Sequence, residues 1–188
     1  MTDALLPEGL RDRLPPQAEA SAAMLRAALD AIRAHGYDRV APPLAEYESS
    51  LAGRLKAASA RDLLRVVDPL SQRTLALRPD ITAQVGRIAA TRLAHRPRPL
   101  RLSYGGPVVK LRATQLRPER EMTQIGAELI GRDTAAAAAE IVALSVEALT
   151  AAGATGITVD LTLPDLVDTL AAGALPLAPD QVPQVRAC

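Results

Sequence analysis

With 188 residues, 48% of them apolar, and three Tyr but no Phe or Trp, the chain holds enough material for one substantial domain, 1–188, filled by aliphatic side chains; base stacking on exposed rings, the usual grip on single-stranded nucleic acid, has little to work with. Its 22 basic and 21 acidic residues leave a net charge of +1, so no global field draws in a polyanion and no nucleic-acid partner is expected. Cys188 is the one cysteine and His35 and His95 the two histidines, which argues against disulfides and metal; with no signal-like N-terminus and no apolar run near the roughly 18 residues of a bilayer span, the expectation is a cytoplasmic protein without membrane contact.

The opening Leu5-Leu6-Pro7-Glu8-Gly9-Leu10-Arg11-Asp12 is irregular, and Pro15-Pro16 suit the start of a helix. From Ala18 the apolar positions Ala22, Leu25, Leu29 and Ile32 recur at helical spacing, and Gly36 stands where a left-handed C-terminal cap belongs. His35, in the last turn, interacts favourably with the helix dipole when charged. Residues 37–41 read as a strand stopped by Pro42-Pro43. Residues 63–67 and 74–77 are short strands joined by a turn-forming connection, a predicted hairpin. A second helix begins near Pro79-Asp80 and carries Ile81, Val85, Ile88 and Ala89 inward, ending before the break at 95–99, where His95 reads as structural or solvent-facing.

Three strands are then predicted, 100–104, 108–112 and 122–130, the last two separated by a polar loop. A helix over 134–152 presents Ala137, Ile141, Leu144 and Ala148 on one face with Gly153 beyond its end. Residues 157–163 alternate as a strand, a short helix is predicted over 164–172, and 173–188 reads as irregular.

On the strand 122–130 a two-residue period places Met122, Gln124, Gly126, Glu128 and Ile130 on one face and Thr123, Ile125, Ala127 and Leu129 on the other, which reads as the core side. The first face offers an amide and a carboxylate with space above a bare glycine, a fit for a small zwitterion; the plainer alternative is a face wetted by solvent. Lys110, Arg112, Arg117 and Arg120 group four cations within eleven residues. They form a candidate anion site or an ordinary solvated hairpin end. Asp80 at a helix start is a candidate ligand group or simply a cap. No phosphate-binding glycine loop, nucleophile elbow or zinc-binding motif is present.

In order along the chain, these segments resemble the histidyl-tRNA synthetase family of class II aminoacyl-tRNA synthetases. Leu6-Pro7-Glu8-Gly9-Leu10-Arg11-Asp12 is similar to the family's opening; Gly36-Tyr37-Asp38-Arg39-Val40-Ala41-Pro42-Pro43-Leu44-Ala45-Glu46 resembles motif 1, with Pro43 as its proline; and Leu77-Arg78-Pro79-Asp80-Ile81-Thr82 looks like Leu-Arg-Pro-Glu-x-Thr. Tyr104-Gly105-Gly106-Pro107-Val108-Val109-Lys110 occupies the first strand of motif 2, and Glu121-Met122-Thr123-Gln124-Ile125-Gly126-Ala127-Glu128 the second.

The resemblance implies an α+β fold with a mixed, mainly antiparallel sheet flanked by helices, a dimer interface at Pro43, and contacts from Asp80, Thr82, Gln124 and Glu128 to histidine. It also implies a loss. Lys110 stands where the synthetases use an arginine on the ATP α-phosphate, and Arg112-Ala113-Thr114-Gln115 replaces a Glu-Arg-Pro-Gln loop. A retained amino-acid face beside an altered nucleotide site is the pattern of the family's non-catalytic branch, the regulatory subunits of ATP phosphoribosyltransferase. That branch implies no cofactor, a short-form catalytic subunit as partner, a homodimer within a hetero-oligomer, and feedback inhibition with histidine as effector. A true synthetase fragment, activating histidine with ATP, is the alternative. The family's later elements do not appear before Cys188, so the expectation is a catalytic-core domain incomplete at its C-terminus.

Overall fold

The computed structural model describes residues 6–55, 62–112, 118–163, 166–173, 178, 180, 181 and 185. The chain divides into two compact units, Met1–Thr155 and Gly156–Cys188. The first contains helix α1 (Gln17–Ala34), strands β1 (Asp38–Arg39) and β2 (Ala45–Tyr47), helix α2 (Glu48–Ala52), strands β3 (Arg65–Val67) and β4 (Thr74–Leu77), helix α3 (Thr82–Thr91), strands β5 (Leu100–Val109) and β6 (Glu121–Ile130), and helix α4 (Ala135–Ala151). The second contains helix α5 (Leu166–Ala172). Arg117, with the rest of 113–117, lies outside the described residues.

Local chemistry places the helix ends close to where the sequence predicts them. Gly36 takes a left-handed φ of 80° and its N–H closes on the Arg33 carbonyl, ending α1. The Thr134 hydroxyl accepts from the Ala137 N–H at 3.2 Å and caps α4. The predicted hairpin forms, with β3 and β4 antiparallel and β2 on the far side of β4. In its turn the Asp68 carboxylate accepts from Ser71 Oγ at 2.6 Å and from the Leu70 and Ser71 N–H groups, which together lower its pKa.

The principal sheet has the order β1-β5-β6, with β1 parallel to β5 and β5 antiparallel to β6 over ten residue pairs from Leu100↔Ile130 to Val109↔Glu121. The mixed, mainly antiparallel α+β architecture is therefore present. Two expectations are corrected here. The predicted strands at 100–104 and 108–112 are one uninterrupted strand ending at Val109, because Gly105-Gly106-Pro107 is carried through the ladder. The Pro107 carbonyl is held by Arg78 Nε at 2.8 Å and the Val109 N–H by the Arg78 carbonyl, so proline costs the sheet no pairing there.

The second correction concerns the core, which lies on both faces of the sheet. Ile81, Val85 and Ala89 pack on Leu100, Leu102, Tyr104 and Val108, with Met122 and Ile130 at the margin, on the face that also carries Gln124 and Glu128. On the other face Ala28, Ile32, Tyr37, Leu144 and Ala148 form a cluster that reaches Ala127. Thr123 and Ile125, expected to face the core, are exposed. Ala28 of α1 and Ala148 of α4 share this cluster, and Gly105 makes room for α1 on the sheet, since a Cβ there would lie 2.7 Å from Leu25. Leu51, Leu63 and Ala76 make a third cluster beneath β4.

In the second unit the alternating segment 157–163 takes no strand conformation. A strand needs a neighbour to complete its backbone hydrogen bonds, and the described residues of this unit include no other strand.

A polar clamp ties α4 to the sheet. Arg101 donates to both oxygens of Glu140, at 2.6 and 2.8 Å, and the Tyr37 hydroxyl donates to the same carboxylate at 2.9 Å. These bonds hold the Glu140 pKa down at about 2, and burial followed by the neighbouring carboxylate pushes Tyr37 up to about 12. Because the folded value of Glu140 lies below the ordinary 4.5, its contribution to stability is full above that value and is lost as pH falls toward about 2. Urea unfolding at pH 5.5 and pH 3, on the order of one pH unit either side of that ordinary value, should show a loss on acidification that is smaller in Glu140→Gln; an equal loss in both proteins would exclude the clamp as its source.

Candidate functional site

The β5–β6 register places Tyr104 opposite Gly126, Leu102 opposite Glu128, and Gly106 opposite Gln124. A glycine has no side chain to fill the space above its Cα, and here that space is taken by the Tyr104 ring, which a Cβ on Gly126 would overlap. The room above Gly126, expected to be open to a ligand, is thus occupied by the protein itself. Tyr104 is 3% exposed. Its hydroxyl donates to Glu128 Oε1 at 3.0 Å and stands 2.8 Å from Thr82 Oγ1. A phenol has one proton, so with that proton on the carboxylate side, Thr82 is the donor to Tyr104. Burial above all pushes the Tyr104 pKa up to about 12; the hydrogen bond with Thr82 opposes it, and the carboxylates of Glu128 and Asp80 add to the rise. It remains a neutral donor at physiological pH.

Gln124 closes the other side. Its Oε1 accepts from the Ile81 N–H at 2.9 Å, and its Nε2 donates to Asp80 Oδ2 at 2.8 Å. The capping alternative for Asp80 is overturned: no side chain caps α3, and the carboxylate is turned toward β6. The structure therefore brings Asp80, Thr82, Gln124 and Glu128 together, two from the start of α3 and two from β6, joined by Tyr104 and Gln124. Asp80 Oδ1 and Glu128 Oε2 carry no hydrogen bond from the described residues. Two partly buried carboxylates with free lone pairs suit a ligand bearing N–H donors and positive charge.

Of the candidate anion group, the described members Lys110, Arg112 and Arg120 have separate surroundings. Arg120 lies against Gly9 and donates to the Lys110 carbonyl at 3.1 Å and the Glu8 carbonyl at 3.3 Å, so it fastens the opening segment instead of waiting for an anion. Arg112 stands 3.9 Å from Asp62 with most of its side chain in solvent. Lys110 follows the end of β5 and has no ion pair among the described residues.

Pro43 is exposed, as are its neighbours Ala41 and Leu44. Its carbonyl accepts from Gln84 Nε2 at 2.9 Å, which also donates to Glu46 Oε1 at 2.9 Å, and Arg87 makes a bidentate pair with the same carboxylate. His35 bonds Glu147 at 2.7 Å and His95 is exposed. Among the described residues no group of three metal-ligating side chains is found, and no helix is long and apolar enough to cross a membrane.

Sequence reasoning overlooked Tyr104 as the residue that links Thr82 to Glu128. The signal for Tyr104 was a large residue two strand positions before Gly106, which becomes informative only when the register sets it across from Gly126. Gly126→Ala should therefore destabilise the protein by about 1–3 kcal/mol through forced displacement of the Tyr104 ring, against about 1 kcal/mol for Tyr104→Phe. Denaturant unfolding of both variants checks the order, and a neutral Gly126→Ala would show that the ring does not depend on the missing side chain.

A family model described as histidyl-tRNA synthetase matches residues 9–188. The ATP phosphoribosyltransferase regulatory subunit of Paramagnetospirillum magneticum is 52% identical over 164 residues, 87% of this chain and 43% of the relative. That of Rhodospirillum rubrum is 50% identical over 183 residues, 97% of this chain and 47% of the relative. A Bacillus halodurans crystal structure described as an ATP phosphoribosyltransferase regulatory subunit/histidyl-tRNA synthetase superposes with a TM-score of 0.80 at 32% identity, covering 100% of this chain and 48% of that one. The apo Staphylococcus aureus histidyl-tRNA synthetase shares the fold, with a TM-score of 0.63 at 23% identity over 78% of this chain and 34% of that one. The chain thus spans about half the length of the curated relatives it matches.

Proposed function

The chain belongs to the histidyl-tRNA synthetase family, and from that premise we propose that it forms part of a non-catalytic regulatory subunit of ATP phosphoribosyltransferase that binds histidine as feedback effector. The observation that carries this reading is that Thr82 and Glu128 meet at the Tyr104 hydroxyl while Asp80 and Gln124 are joined between the same two elements. Asp80 and Glu128 offer carboxylate oxygens to the ammonium and imidazole N–H groups. Gln124 sets the position of Asp80, and Tyr104 that of Glu128. Such a pocket holds the amino acid without activating it.

The nucleotide side supports the same conclusion. Adenylation needs cations positioned on an α-phosphate in the transition state. Lys110 supplies a point charge where the family's arginine would supply a bidentate fork. Arg120 is engaged by backbone carbonyls and Arg112 faces Asp62, so neither completes a clamp. The partner is a separate, short-form catalytic subunit performing the first step of histidine biosynthesis in the cytoplasm, and the regulatory chain is a homodimer within that hetero-oligomer, with Pro43 at its interface. Support for the partnership comes from relatives at 50–52% identity that carry the regulatory-subunit name.

Calorimetric titration of the full-length protein with histidine, with and without ATP, tests this proposal against the synthetase alternative. Binding without ATP dependence, and no pyrophosphate exchange, is expected; exchange would establish the synthetase, and absence of binding would remove the effector site. In the assembled enzyme, Glu128→Gln should raise the histidine concentration for half-inhibition by roughly tenfold or more, since a charged hydrogen bond is lost, with the complex still intact by size-exclusion chromatography. Unchanged inhibition would take Glu128 out of the site.

A further inference from the structure

Arg78 is the one buried charged residue among the described residues, with 5% of its surface exposed. A guanidinium taken out of water is ordinarily paired with an acid, yet Arg78 has no carboxylate partner among the described residues. Its Nε donates to the Pro107 carbonyl and its Nη1 to the Pro42 carbonyl, each at 2.8 Å. Nη2 has no hydrogen bond from the described residues. It is not sealed in either, because the single buried side-chain atom without a partner among them is Gln84 Oε1.

The position of Nη2 is fixed by Gly106. A Cβ on that glycine would stand 2.7 Å from Nη2, so the nitrogen lies directly over the glycine. Gly106 pairs with Gln124 across the ladder, and paired residues project to the same face of a sheet. The free nitrogen of a buried cation therefore lies on the face that carries Gln124, Tyr104 and Glu128, next to Asp80.

We propose that Arg78 Nη2 is the carboxylate subsite of this pocket, and that Gly106 lacks a side chain so that the guanidinium can reach it. The proposal rests on the histidine reading above and deepens it. Asp80 and Glu128 alone would favour a ligand with positive charge and no carboxylate. With Arg78 opposite them the charges complement an amino-acid zwitterion: the carboxylate displaces water from Nη2 and supplies the counter-charge that the guanidinium lacks. Burial, which already holds the Arg78 pKa below the usual arginine range, makes that counter-charge more valuable.

The test compares histidine with histidinol, in which CH2OH replaces the carboxylate, by calorimetry on the full-length protein. Histidine should bind roughly ten- to a hundredfold more tightly. In Gly106→Ala, which displaces Nη2 while leaving the two acids in place, and in Arg78→Lys, that ratio should fall to about one through loss of histidine affinity, with histidinol affinity held within about twofold. If Arg78→Lys fails to fold, Gly106→Ala decides. A wild-type protein that binds both ligands equally, or a Gly106→Ala protein that keeps the full preference, overturns the subsite and leaves the histidine reading standing; a wild-type protein that binds neither overturns both.

Discussion

Tyr104 fits across Gly126 because one strand position has no side chain while its partner carries a large one, and the geometry of the site follows from that exchange of volume. Laid over the glycine, the ring carries its hydroxyl to a point between Thr82 on α3 and Glu128 on β6. Without the vacancy the ring would stand off the sheet and the two elements would lose their shared hydrogen-bond centre. The same ring packs with Ile81 and Val85 in the aliphatic cluster beneath α3. One side chain therefore belongs to the core by its body and to the site by its tip.

Gln124 does the complementary work. Its two amide ends hold the Ile81 N–H and the Asp80 carboxylate, so the start of α3 is fixed to β6 by a side chain instead of by a cap on its own segment. The site residues are thus held by bonds between elements distant in sequence, on a sheet covered by helices on both faces. The Asp80 and Glu128 carboxylates are thereby held by the protein's own hydrogen bonds, so these side chains would lose little ordering entropy to the ligand proposed above.

Much of this was legible in the sequence, and the failures share a cause. The helices were readable from apolar spacing and from Gly36, because period and caps are local properties. Gln124 and Glu128 were readable from strand alternation for the same reason. The break assigned at Gly105-Gly106-Pro107 was wrong because glycine and proline interrupt a strand only when their local cost goes uncompensated. Here α1 covers Gly105, the Arg78 side chain covers Gly106, and Arg78 holds the Pro107 carbonyl. Asp80 resembled a cap because an acid at a helix start usually is one; its true partner lies 44 residues away. The segment 157–163 has the pattern of a strand, but pattern supplies no neighbour.

Helix α3 also joins the pocket to the segment around Pro43. Its first residue, Thr82, meets Tyr104, and one turn on, Gln84 and Arg87 hold the Pro43 carbonyl and the Glu46 carboxylate. An effector shifts an equilibrium only if it contacts two states of the assembly differently, and that difference must reach a surface where the states diverge. A helix clamped at one end to the face that carries Gln124 and Glu128 and along its side to an exposed apolar segment has the geometry that the proposed effector role would require. Its grip on Glu46 is partly buried and bidentate, so a displacement of α3 that left Glu46 behind would expose unpaired charge in a poorly solvated place. Moving the two together is the less costly course, so Gln84 and Arg87 tie the position of α3 to that of the Pro43 segment.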